Sequence, residues 1–165
     1  MIRLPDHKVT LERLTTAHAD AVLAFERENR EYFAASVHDR GDSFFTEFDA
    51  RLAALLAEQE AGICQFHVLV DDAGAVVGRV NLMDLENGSA ELGYRIAEKA
   101  AGKGLASAAV RAIVGVAAAE YGLTALRAGT SHENVASQAV LVRAGFRRVS
   151  DEAADPEYEL KLENA

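Results

Sequence analysis

The hydrophobic pattern changes period at Gly62, and this change constrains the fold more than any other feature of the chain. Beyond it, "ICQFHVLVD" and "AVVGRVNLMDL" are β-rich runs joined by "DAG". The turn signal "ENGS" then leads into "AELGYRIA". Short polar or glycine turns between such runs specify consecutive antiparallel strands. The next segment, "GLASAAVRAIVGVAAAEYG", is apolar almost all round, which suits a helix packed on a sheet, with Ser107 and Arg111 four residues apart on one side near its start.

The flanks complete the pattern. "VTLERLT" reads as a first strand. A helix over 16–30 follows, with Ala21, Val22 and Phe25 at helical spacing and Thr15 or Thr16 as its cap. The polar stretch "EYFAASVHDRGDS" interrupts before a second helix, whose stripe is Phe45, Phe48, Leu52, Leu55 and Leu56. After the apolar helix come a strand, "LTALRAGT", and a helix, "SHENVASQAVLVRAGF", capped by Asn134 and stopped by Gly145. Two strands, "RRVSD" and "EYELKL", close the order β-α-α-β-β-β-α-β-α-β-β. That is an α/β (α+β) chain with a mixed sheet and helices on its faces, and 165 residues suit one domain over 1–165.

The formal charge of −9 disfavours a general nucleic-acid binder. It is unevenly spread. Between Lys99 and Val149 seven basic residues face two acidic ones, a balance of +5 that leaves −14 for the rest. One region is thus suited to an anion and the remainder to a cationic partner. The single cysteine, Cys64, lies among apolar neighbours and fits a packing role in a reducing compartment. No signal-peptide pattern opens the chain and no apolar run approaches a membrane span, so a cytoplasmic, non-membrane protein is expected. His18, His38, His67 and Cys64 have no metal-ligand spacing, and no metal is expected.

Glycines are poor helix formers, yet "AAGKGLASAAV" places Gly102 and Gly104 at a helix start. A helix N-terminus carries unpaired N–H groups and partial positive charge, which attract phosphate. Glycine lets backbone approach a bulky ligand, and Lys103 adds a cation. The P-loop pattern is unmet because Gly104 follows Lys103, and Ser107 stands where G-x-G-x-x-G needs its third glycine.

The segment "ELGYRIAEKAAGKGLASAAV" resembles the acetyl-CoA signature of the GNAT superfamily of N-acetyltransferases, [QR]-x-x-G-x-[GA], laid on Ala101 to Ala106. Gly104 and Ala106 match, and Ala101 departs from Gln or Arg. "ENVASQAVLVRAGF" is similar to the family's N-x-x-[SA]…GF segment, and "LERLTTAHADAVLAFERENREYF" to the opening of its ribosomal-protein (RimJ/RimL-type) branch. The resemblance implies a mostly antiparallel sheet whose fourth strand, about 90–96, is bulged and splays from the fifth, about 124–130. It implies pantetheine held by the main chain of Ile96 and Ala97. It places the pyrophosphate on the amides of Gly102, Lys103, Gly104, Leu105 and Ala106, within a cofactor-binding stretch bounded by Ala101 and Ser107. Of the nearby cations Arg143, Arg147 and Arg148, Arg143 is the one expected to reach the terminal phosphate.

Acetyl transfer to an amine needs a neutral amine, and an α-amine with a pKa of about 8 is easier to deprotonate than lysine at about 10. The resemblance puts Leu141 where many members carry a tyrosine acid. Ser137 is then the expected proton donor, Asn134 the positioning residue and the Ile96 amide the oxyanion donor. Glu91 is the expected base, with Asp84, Glu133 and His132 as competitors. The expected partners are acetyl-CoA and an amine acceptor, either a small molecule or a protein N-terminal α-amine, held by the acidic N-terminal helices and the loop between them. The oligomer is expected to be a monomer or a homodimer paired through an exposed C-terminal edge strand. Two other readings are a CoA-binding sensor module without turnover and a nucleotide binder.

Overall fold

The computed structural model describes residues 1–131, 133–150 and 155–162, with the Ser150 side chain excepted. One sheet organises them. Its strands are β1 (Ile2–Leu4), β2 (Val9–Arg13), β3 (Gln65–Asp71), β4 (Val76–Glu86), β5 (Ser89–Ile96), β6 (Ala125–Gly129), β7 (Arg147–Ser150) and β8 (Glu157–Lys161). The spatial order is β1-β2-β3-β4-β5-β6-β8-β7. Every pair is antiparallel except β5–β6. β3–β5 occupy the three runs predicted after Gly62.

Two differences from the sequence reading concern the sheet's margins. A strand, β1, precedes the expected first one and pairs with β2 through a 3-10 turn at Pro5–His7. The C-terminal strand β8 inserts between β6 and β7, so that end of the sheet is edged by β7. Arg147 and Arg148 lie on this edge, and charged side chains there discourage pairing with another copy.

The helices are α1 (Ala19–Glu28), α2 (Arg30–Ala34), α3 (Asp42–Thr46), α4 (Phe48–Glu60), α5 (Leu105–Ala119) and α6 (Val135–Arg143). Thr15 caps the approach to α1 by accepting from the Ala17 amide. The expected second helix is broken at Glu47, and part of the "EYFAASVHDRGDS" stretch is the helix α2. Gly62, with φ +75°, ends α4 as its composition suggested.

Two apolar clusters lie on opposite faces of the sheet. Leu92, Leu105, Val110, Ile113, Leu126, Leu141 and Phe146 pack between α5, α6 and one face. Val22, Phe25, Phe33, Phe44, Phe48, Leu52, Phe66 and Val68 pack between α1–α4 and the other. Buried Gln59 ties α4 to the sheet: its Nε2 donates to the Leu14 carbonyl at 2.9 Å and its Oε1 accepts from the Phe66 amide at 2.8 Å. Cys64 is a buried free thiol, as expected of a packing cysteine.

Candidate functional site

The site begins where β5 loses its neighbour. Parallel pairing with β6 covers only Ser89–Ala125, Ala90–Leu126 and Glu91–Arg127, whereas pairing with β4 continues to Ile96. From Leu92 onward one edge of β5 is therefore open. Alternation in the β4 ladder fixes which groups face the opening. The Ala97 amide donates to the Val77 carbonyl at 2.9 Å, so the odd-numbered residues of this stretch bond toward β4. The N–H and C=O groups of Leu92, Tyr94 and Ile96 point toward the gap. Ala97, fully buried, also has its carbonyl engaged by the Ala100 amide, so its main chain is already committed within the fold.

The splay is thus where the family pattern implies it, one strand later in the count because of β1. The register irregularity beside it falls between Met83 and Glu86, with the extra residue on β4, and Asp84 there has φ +53°. A bulge adds local twist, which suits strands that are about to part.

Past Ile96 the chain makes a 3-10 turn at Glu98–Ala100, anchored by the Glu98 amide donating to Asn29 Oδ1 at 3.0 Å. It then enters α5 through Gly102 (φ +73°) and Gly104 (φ +81°), both left-handed. Among the described residues the amides of Gly102, Lys103, Gly104, Leu105, Ala106 and Ser107 make no main-chain bond. A Cβ on Gly102 would meet nothing within 4 Å, and one on Gly104 only His7 Cε1 at 3.8 Å. The concavity is open and lined by donors. Lys103 is exposed, its Nζ donating to the Lys99 carbonyl at 3.2 Å. Ser107 is buried, so its side chain faces the core, while Arg111 is exposed. Arg143 is exposed on the last turn of α6, the end of that helix away from Asn134 and Ser137.

Asn134 caps α6, its Oδ1 accepting from the Ser137 amide at 3.0 Å. That leaves its Nδ2 to donate elsewhere. The Ser137 hydroxyl lies 3.1 Å from the Tyr94 hydroxyl, which comes from the open strand β5. Burial pushes the Tyr94 phenol above its usual value and the hydrogen bond to Ser137 opposes this only in part, so the phenol keeps its proton at neutral pH. Leu141 is buried in the core. The sequence reading missed Tyr94. Its signal was the alternation of "ELGYRI", which puts Tyr94 on the α6 side and Glu91, Gly93 and Arg95 on the other.

Glu91 is exposed at the fork, in the last parallel pair before the opening. It lines a cleft of about 210 Å³ shared with Arg127, Gly129, Glu157 and Glu159. Asp84 and Glu133 are exposed, and His132 lies outside the described residues. Among the described residues no group of His, Cys, Asp and Glu is clustered for a metal, and no helix is long and apolar enough to cross a membrane.

A mixed sheet that opens between its one parallel strand pair, with a glycine-entered helix N-terminus beside the gap, is the architecture of an α/β domain that offers a main-chain-lined groove to a ligand. The model of the acetyltransferase (GNAT) domain family matches residues 8–147, and the chain belongs to that family. A Bacillus subtilis relative, the probable N-acetyltransferase YjcK, is 27% identical over 82% of this chain and 78% of its own. The Vibrio fischeri ribosomal-protein-S5-alanine acetyltransferase superposes with a TM-score of 0.85 at 18% identity, over 93% of each chain. A spermidine N-acetyltransferase from Vibrio cholerae, solved with CoA and spermine, gives 0.75 at 16% identity over 93% of this chain and 95% of that one. These neighbours share the fold across ribosomal-protein and polyamine acetyltransferases.

Proposed function

We propose that this N-acetyltransferase takes acetyl from acetyl-CoA at the fork between β5 and β6 and passes it to a primary amine, a protein N-terminal α-amine being one candidate acceptor. The observation that carries the reading is the open edge of β5 from Leu92 to Ile96, followed after the Glu98–Ala100 turn by the unbonded amides that start α5. In this reading the co-substrate supplies the thioester. The Tyr94 and Ile96 main chain holds the pantetheine arm as an added strand, and Ile96 serves better than Ala97, whose N–H is occupied. The amides of Gly102 to Ala106 hold the pyrophosphate. Ala101, expected to bind the co-substrate, has its amide already donating to the Glu98 carbonyl at 3.1 Å and so only bounds this cradle, as Ser107 does on the other side, and Arg143 is assigned to a further phosphate.

Ser137, backed by the Tyr94 hydroxyl, delivers a proton to the departing thiolate, and Asn134 Nδ2 positions the co-substrate. Glu91, on the opposite face, takes the proton of the amine directly or through water. The Ile96 amide meets the developing oxyanion. Base and acid thus stand on different sides of the sheet, with the gap between them.

Release of free CoA thiol in the presence of a panel of amines, with mass spectrometry of the acceptors, tests this. Thiol release accompanied by a gain of about 42 daltons on an acceptor, an acetyl group replacing a proton, is expected. Uptake of acetyl-CoA without release for any amine overturns the catalytic reading in favour of a sensor. Absence of uptake overturns the site itself.

A further inference from the structure

Opposite Tyr94 and Ser137, the α1–α4 face of the sheet carries a charge cluster the reaction above does not use. Arg79 and Arg95 are cross-strand partners on β4 and β5, and Asn81 is the partner of Gly93 in the next same-face pair. The two arginines converge on Glu26 of α1, which is 1% exposed. Arg40 reaches it at 3.0 and 3.1 Å, Arg79 at 2.9 Å and Arg95 at 3.2 Å. Those four donations occupy the carboxylate's lone pairs, whereas each guanidinium has about five N–H donors and keeps most of them free.

The charge does not balance. Three guanidiniums meet one carboxylate, a surplus of two positive charges where Glu26 and Arg79 are both buried. Beside it Arg30 pairs with both Asp39 and Asp42, one positive charge against two negative, so the neighbourhood as a whole keeps a surplus of one positive charge. Burial alone would raise the Glu26 carboxyl, but Arg40, Arg79 and Arg95 outweigh it and hold it low, so Glu26 stays ionised. The guanidiniums are also held in place: Arg95 lies 4.5 Å over the Phe33 ring and Arg40 4.6 Å over Phe44. Arg30, Arg40 and Arg95 line a recess that opens to solvent, together with His38 and the carboxylates of Glu26 and Asp39, so its charged lining is positive by one. A rigid, partly desolvated surplus of guanidinium recognises a planar anion, a carboxylate above all.

The second polar element has the opposite sense. Asn81 Oδ1 is buried and has no hydrogen-bond partner among the described residues. It is an acceptor on the same face, and along that face Glu91 stands on the far side of Gly93 from Arg95. Strand geometry puts Arg95 about 7 Å from Gly93 along β5. A donor is wanted at one end of this stretch and an anion at the other.

We propose that the acceptor is an amine that itself carries a carboxylate, the carboxylate docking on Arg95 and Arg40 and the amine lying toward Asn81 and Glu91. This rests on the transferase reading above and narrows its acceptor from any primary amine to a carboxylate-bearing one. It reverses the expectation from composition that the acidic N-terminal half selects a cationic acceptor, since the acidic surplus of that half does not extend to the buried face.

The test compares acceptors of matched length, γ-aminobutyrate against 1,4-diaminobutane, and peptides beginning Ser-Glu against Ser-Gln. At least one carboxylate member is expected to exceed its partner about tenfold or more in kcat/KM, the worth of a charge-assisted hydrogen bond. The two pairs separate a free amino acid from a peptide end. Arg95→Gln and Arg40→Gln should shrink that ratio toward one through KM for the acceptor, and Arg95→Lys should restore part of it. Equal or inverted preference in both pairs, or a ratio that survives in both variants, overturns the proposal. A readout without turnover accompanies this: the better carboxylate acceptor should raise Tm in the unaltered protein and not in Arg95→Gln. If thiol is never released, the transferase reading fails while the Tm shift still decides the carboxylate site, and no shift with either carboxylate probe overturns it.

Discussion

Gly104 offers a sharp separation between a glycine that merely turns the chain and one that holds a ligand. Its φ is +81°, and a Cβ there would meet only His7 Cε1 at 3.8 Å. Alanine at this position costs conformational energy, about 1 to 2 kcal/mol for a side chain in the left-handed region, without a packing clash. For a chain of this size each kcal/mol lowers Tm by about 2–4 °C. Gly62 provides the control: its φ is +75°, nothing lies within 4 Å of its Cβ, and it sits far along the chain at the end of α4. Gly104→Ala and Gly62→Ala should therefore melt a few degrees low and by similar amounts. Calorimetry with CoA should then divide them. A methyl at the mouth of the α5 amides displaces a phosphate that uses charge-assisted bonds, so affinity should fall about tenfold or more in Gly104→Ala and stay level in Gly62→Ala. Equal CoA affinity in the two variants would refute the cradle, whatever their melting temperatures.

Ser137→Ala should lower kcat about a hundredfold or more with little change in KM for acetyl-CoA, and Tyr94→Phe should lower it less, since it removes only the partner of the donor; stopped turnover assays on both check this. Glu91→Gln should abolish the low-pH limb of the kcat/KM profile, and a retained limb would move the base elsewhere. His67 makes a separate prediction about stability. It is buried beneath the α5 end with its Nε2 2.7 Å from the Tyr121 hydroxyl, and burial pushes its imidazole down to about 4. The unfolded imidazole takes up a proton from about pH 6.5 downward and the native one does not until about 4. Stability is thus complete above 6.5 and declines by about 3 kcal/mol as pH falls to 4, a slope that denaturant titrations of His67→Gln should lack.

The antiparallel run β3–β5 was legible because turns and β-rich runs are local signals, and the start of α5 because left-handed glycines leave a mark in composition. β1 escaped because three residues cannot show a period. The break at Glu47 lies inside a continuous apolar stripe, which periodicity joins rather than divides. The main-chain geometry of the candidate site was legible for the same reason, since amides at a helix start depend on position and not on side-chain identity. The Tyr94–Ser137 contact joins residues 43 apart, and Glu26 meets Arg95 across 69. Pairings over such separations are made by the register of strands, and one sequence carries no direct signal of them. Charge was the least informative: a surplus summed over a region says nothing about which groups are buried together.

The parting of β5 from β6 is a window through a wall that is otherwise continuous, with a mouth on each side. Substitutions around one mouth, at Arg40 or Arg95, can redirect which molecule is accepted while the grip on the donor at the other mouth stays intact. A lineage built on this plan can change clients without rebuilding its supply line.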